Sequence, residues 1–130
     1  MKEKTMSLTS ILLILASVAL SSGSQIALKF GMMSEPIQTA IKSENVIEIG
    51  VALITSPLVT GGLFSFGLSA ILWLFVLSRV PLSSAYPYVA LGIFVTVLAG
   101  YFLFHEPLTV FKVAGVALIL AGILLVGKSV

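Results

Sequence analysis

Four long apolar runs fill most of this chain, and nearly all of its few charges fall between the runs rather than within them. A helix needs roughly 17 to 25 mostly apolar residues to cross a bilayer, and an open strand in lipid leaves its backbone groups unpaired, so each run is predicted to be a transmembrane helix. Spans are expected at about Leu8 to Phe30, Leu58 to Leu77, Ser84 to Phe104 and Leu108 to Val126. With short connections they use up all 130 residues as a single four-helix transmembrane domain, an all-α integral membrane fold with no room for a soluble domain. At 58% hydrophobic and 9% charged, with a mean hydropathy of +1.19, the chain has too little polar surface to coat a water-soluble globule.

Lys2 and Lys4, followed by apolar residues and the small run Ala16 to Ala19, also fit a cleavable leader, but the apolar character resumes at Ile26 and favours a retained first span. Without cysteine there is no disulfide framework, thiolate metal site or thiol nucleophile. No Ser, His and acid combination, metal cluster or glycine-rich phosphate loop occurs in the sequence, so we read no enzyme, no metal and no cofactor. A formal charge of +2 carried on scattered basic residues argues against a nucleic-acid partner. An even number of spans sets Lys2, Lys4, Arg79 and Lys128 against Lys29, Lys42 and Lys112. The positive-inside rule then gives both termini a narrow cytoplasmic preference and leaves dual insertion open.

Between the first two spans, Ser34-Glu35-Pro36 is a helix start, and Ile37, Ala40 and Ile41 recur at helical spacing. An interfacial helix is expected over about 36–48. Val46 to Thr55 is too short to span and either extends the second span or lies along the interface. The later connections, Ser78 to Ser83 and His105-Glu106-Pro107, are tight, which makes consecutive spans antiparallel neighbours.

Each span carries small or polar residues at helical spacing: Ser17, Ser21, Gln25 and Lys29; Gly61, Ser65, Ser69 and Trp73; Gly92, Thr96 and Gly100; and Ala114, Gly115, Ala121 and Gly122. In the third and fourth spans close helix packing is the simpler reading. The first span differs because hydrocarbon cannot satisfy the four hydrogen-bonding positions of Gln25, and a cation at depth costs about 2.5 to 3.5 kcal/mol. Gln25 is read as facing a cavity or another helix, with Ser21 and Ser24 beside it, while Lys29 fits either a ligand or a side chain reaching up to the headgroups. None of the five acids, Glu3, Glu35, Glu44, Glu48 and Glu106, falls within a span. An exporter of organic cations needs a buried carboxylate to exchange proton for substrate, so deep polar groups that are only neutral or cationic suit an anion, phosphate foremost.

Leu77-Ser78-Arg79-Val80-Pro81, Ala85-Tyr86-Pro87, His105-Glu106-Pro107-Leu108 and Gly115-Val116-Ala117-Leu118-Ile119 resemble the drug/metabolite transporter superfamily. The likeness is to its four-span members, which include the small multidrug resistance exporters and the flippase subunits for aminoarabinose-phosphoundecaprenol. Gln25-Ile26-Ala27-Leu28-Lys29 is similar to the Gln-x-x-x-Lys near the end of their first span, and Ala-Tyr-Pro with His-Glu-Pro points to the lipid-sugar branch. Where the drug exporters carry an essential glutamate this chain has Ser21, so cation/proton exchange is not implied. The resemblance implies a half-transporter in the bacterial inner membrane that moves a polyprenyl-phosphate-linked sugar. Gln25, Lys29, Tyr86, Pro87 and Glu106 match the pattern, and Gly115, Ala121 and Gly122 resemble the dimer-forming segment.

Expected partners are membrane lipid, the lipid-linked sugar, and a second four-span chain in a homodimer or heterodimer. Trp73 and Tyr86 serve either as sugar-stacking residues or as interfacial belt aromatics. Arg79 is read first as a positive-inside anchor and second as a phosphate ligand, and Glu106 first as a cap for the fourth helix and second as a transport residue. Two other functions stay open, a small-solute or drug exporter and a non-transporting scaffold subunit.

Overall fold

The computed structural model describes residues 6–128, and every regular element among them is a helix. Lys2, Lys4 and Glu3 lie outside the described residues. Ser7 starts α1 (Leu8–Met32) from an extended conformation, its hydroxyl oxygen accepting from Ser10 N–H at 3.2 Å and so pairing a donor that every helix start leaves open.

The connection after α1 folds as two helices rather than the one expected over 36–48. The first, α2 (Glu35–Lys42), has Pro36 in its opening turn and buries Ile37 and Ala40. Glu44 then adopts φ 56°, which a right-handed helix cannot pass through, and Asn45 caps α3 (Val46–Thr55) by accepting from Ile47 N–H at 3.0 Å. This third helix does not merge with the next span. Ser56 is held extended at ψ 116°, the region into which a following proline drives its predecessor, and Pro57 opens α4 (Pro57–Leu77).

The next span begins as α5 (Leu82–Ala85), tightens to a 3-10 turn over Tyr86–Tyr88 and continues as α6 (Val89–Phe104). Pro87 has no N–H for the helical ladder, which accounts for the tightening. The left-handed His105, with φ 53°, ends α6 before α7 (Val110–Lys128). Four helices, α1, α4, the run Leu82–Phe104 and α7, are long and apolar enough to cross a membrane. The molecule is a multi-pass, all-helical membrane bundle.

α1 packs along α4, α6 packs on α1, and α7 packs on α6. Ser17 meets Ser69, Leu28 meets Gly62 and Gly31 meets Val59, so α1 and α4 are antiparallel. Gly92 meets Ser22 and Phe104 meets Phe30, so α6 runs parallel to α1. A Cβ at Gly62 would lie 2.8 Å from Leu28 Cγ, and one at Gly31 2.8 Å from Val59 Cγ2. Lipid gives helices no hydrophobic reason to associate, so this close approach of backbones is what binds the pair. At the opposite end, Ile14, Val76, Val80 and Ala85 form a buried cluster against which Trp73 and Tyr88 pack. α4 and α6 both lean on α1 but touch each other little.

Candidate functional site

The space left between α4 and α6 is a groove of about 340 Å³ floored by α1. Its floor carries Ser17, Ser21, Ser22 and Gln25. One wall holds Phe66, Ser69 and Trp73, and the other holds Tyr86, Gly92 and Thr96. Close approach of the third span to the floor rests on Gly92, where a Cβ would lie 3.1 Å from Ser22 Oγ. The 3-10 turn at Pro87 carries Tyr86, 62% exposed, to the groove.

Three of the groove's hydroxyls, one on the floor and two on the walls, are held. Buried Ser17 donates to Ser69 O at 2.9 Å, Ser69 donates to Phe66 O at 2.7 Å, and Thr96 donates to Ile93 O at 2.9 Å. Each keeps oxygen lone pairs that can accept from a ligand. The side chains of Ser21, Ser22 and Gln25 have no protein partner among the described residues. Gln25 therefore brings two donors and an acceptor to the groove, a demand that lipid leaves unmet.

The groove thus gathers Ser21, Gln25, Trp73 and Tyr86 from the residues singled out in the sequence. Lys29 falls outside it. Residues four apart on a helix are rotated by about 40°, so by the fourth member the stripe has turned well away from Ser17. The Lys29 ammonium lies 6.0 Å from the centroid of the Phe104 ring, within reach of its negative face, and Phe104 itself packs against Phe30 as a tilted pair with ring centroids 4.6 Å apart. The same rotation divides the second-span stripe. Ser69 and Trp73 reach this groove, whereas Gly61 and Ser65 line a second cavity of about 360 Å³ on the other side of α1.

Ser24 lines that second cavity and donates to Ser21 O at 2.7 Å. Arg79 is exposed in the turn after α4, where its N–H donates to Val76 O at 3.0 Å. Glu106 does not cap the fourth span. Its N–H donates to Gly100 O at 2.9 Å, and its carboxylate folds back over Gly100, 2.7 Å from where a Cβ would stand and 4.0 Å from Lys112 Nζ. Thr109 takes the capping place, its hydroxyl oxygen accepting from Lys112 N–H at 3.2 Å. Gly115 and Gly122 meet open space, and no residue of α7 is buried.

Sequence reasoning assigned Gly92 and Thr96 to packing, yet both also line the groove. Val18, Ala70, Val89 and Ile93 were not singled out, since nothing in an apolar side chain distinguishes a groove wall from a lipid-facing surface.

Residues 3–128 match the family model described as the EamA-like transporter family. A Pseudomonas aeruginosa (strain UCBPP-PA14) protein named "Probable 4-amino-4-deoxy-L-arabinose-phosphoundecaprenol flippase subunit ArnE" is 41% identical over 78 residues, 60% of this chain and 68% of that protein. Its namesake in Enterobacter sp. (strain 638) is 45% identical over 63 residues, 48% of this chain and 59% of that protein. The corresponding subunit ArnF of Shewanella sediminis (strain HAW-EB3) is 34% identical over an alignment of 134 residues, 97% of this chain and 92% of that protein. No solved structure matches the chain.

Proposed function

Because this chain belongs to the EamA-like transporter family, we propose that it is a flippase subunit moving a polyprenyl-monophosphate-linked sugar across the bacterial cytoplasmic membrane. The observation that carries this reading is the groove between α4 and α6, which is polar along its floor and open sideways where the two walls fail to meet. A lipid-linked sugar needs that combination. The prenyl tail stays in hydrocarbon, and only the head group must leave water and find other hydrogen-bond partners.

Ser21 and Gln25 meet the sugar from the floor, Trp73 and Tyr86 flank it, and Lys29, one turn beyond Gln25, meets the phosphate. Arg79 and Glu106 are kept apart from this contact, Arg79 as an anchor in its turn and Glu106 as the partner of Lys112. The chain acts as one four-span unit and not as an enzyme, with both termini in the cytoplasm. Its partner is a second four-span chain, identical or related, held along α7 through Gly115, Ala121 and Gly122. The relatives' printed names call them subunits, and the unburied α7 leaves a face for such a neighbour.

The test is reconstitution in liposomes with a short-chain polyprenyl-phosphate sugar and, separately, an aromatic cation. Lipid translocation by the wild type, lost in Lys29→Ala, is the expected result. Cation uptake without lipid movement would replace this reading with that of an exporter, and silence toward both would favour a scaffold.

A further inference from the structure

Resting on the flippase reading, we propose that Ser22 is a further residue that binds and positions the sugar head group, its hydroxyl left uncovered for that purpose by Gly92. Ser17, Ser22 and Ser69 are the buried serines of the groove, each no more than 4% exposed. Ser17 and Ser69 donate to carbonyls at 2.9 and 2.7 Å, as a hydroxyl shut away from water ordinarily does. Ser22 has no protein partner among the described residues, although the carbonyls of the preceding turn of α1 are close at hand. Its oxygen is not sealed in. Among the described residues every fully enclosed side-chain oxygen or nitrogen is paired, so one that is unpaired still opens onto the groove it lines.

A buried hydroxyl without a partner weakens the fold that contains it, so packing gives no reason for a serine here. What it brings is one donor and two acceptor positions for whatever enters the groove. Gly92 on α6 completes the arrangement. A Cβ there would stand 3.1 Å from Ser22 Oγ and 3.5 Å from Val18 Cγ1, so a larger residue would lie over the hydroxyl and close it off. With the seam of α1 and α6 covering all but 3% of Ser22, what reaches its oxygen comes through the groove. Residues three and four apart stand side by side on a helix, which sets both Ser22 and Ser21 next to Gln25. These side chains, all without protein partners, face one head group together. Their oxygens accept from a sugar O–H or N–H, while the hydroxyls and the Gln25 amide donate to sugar oxygens.

Trp73 is the chain's single tryptophan and lines the groove, so its emission reports occupancy directly. Wild type, Ser22→Ala and Gly92→Ala in lipid nanodiscs are titrated with short-chain polyprenyl phosphates bearing a pentose, a 4-amino pentose or no sugar. Ser22→Ala should bind the sugar lipids about three- to tenfold more weakly, the loss of one hydrogen bond, and bind the sugar-free lipid as the wild type does. A loss confined to one of the sugar lipids also supports the proposal and tells whether Ser22 meets an amine or a hydroxyl. In detergent the same variant should unfold at the same or a higher temperature, because the group it removes has no partner in the fold. A merely structural serine would give the opposite pair, a lower unfolding temperature and no change in the preference for sugar. Gly92→Ala, which keeps the hydroxyl but covers it, should lose sugar binding alone, and if it fails to fold, Ser22→Ala decides the matter. Unchanged binding of both sugar lipids by Ser22→Ala, or an equal loss for the sugar-free lipid, would overturn the proposal and leave the flippase reading standing. Failure of the wild type to bind either sugar lipid would remove both.

Discussion

Two adjacent glycines in α4 give the sharpest test of how the bundle is held. At Gly62 a new methyl would lie 2.8 Å from Leu28 Cγ, 2.9 Å from Leu28 Cδ2 and 3.3 Å from the Leu28 backbone nitrogen. Carbon atoms rest about 3.5 to 4.0 Å apart, so Gly62→Ala must push α1 and α4 apart by about 0.7 Å or move a leucine that has backbone directly behind it. Overpacking of this kind costs about 1 to 3 kcal/mol. Alanine recovers about 0.5 to 1 kcal/mol through its better helix propensity. A net loss of up to about 2.5 kcal/mol is expected. The neighbouring Gly61→Ala has nothing within 4 Å and should keep the propensity gain alone. Parting the helices would also stretch the 2.9 Å bond from Ser17 to Ser69 on the groove floor. Unfolding of both variants in detergent, followed by helical circular dichroism, measures the difference. If Gly62→Ala proves as stable as Gly61→Ala, the claim that α1 and α4 are bound by backbone contact at this point is wrong.

Two serines on opposite sides of α1 should separate function from packing in the liposome assay. Ser21→Ala should slow lipid translocation, and Ser24→Ala, whose side chain lines the cavity on the other side of α1, should leave it unchanged. Gly100→Ala should cost less than about 0.5 kcal/mol in the detergent unfolding measurement, because the atom it meets is the mobile end of Glu106 and can swing toward solvent.

Much of this architecture is legible in the sequence because lipid imposes so few solutions. Four long apolar runs could only be helices, and the positions of Pro57 and His105-Glu106-Pro107 bracket two of their ends. Gln25 announces the groove by its chemistry, since an amide with four hydrogen-bonding positions has no place against hydrocarbon. What escaped sequence reasoning is rotational. Spacing of four residues places Ser17, Ser21 and Gln25 on one face, but the same drift carries Lys29 to Phe104 and Gly61 to the far side of α1. Whether Gly61 or Gly62 meets Leu28 depends on the docking angle of two helices, which no local pattern states. Glu106 was misread for a related reason. Its sequence position before a helix fits a cap, but the left-handed His105 turns it back toward Gly100.

The two walls of the groove share a common support and are fastened to each other at one end only, through the turn after α4 and the cluster of Val76, Val80 and Ala85, while α4 and α6 themselves touch little. Away from that end its width rests on how α4 and α6 each pack on α1 and on the acyl chains around them. A bilayer that squeezes its embedded proteins harder would narrow the slot, and one with thinner or more disordered tails would let it gape. On the proposed flippase reading, the membrane is then a mechanical participant in the passage of the head group as well as the medium in which the tail travels, and the rate of transfer becomes a property of protein and lipid together.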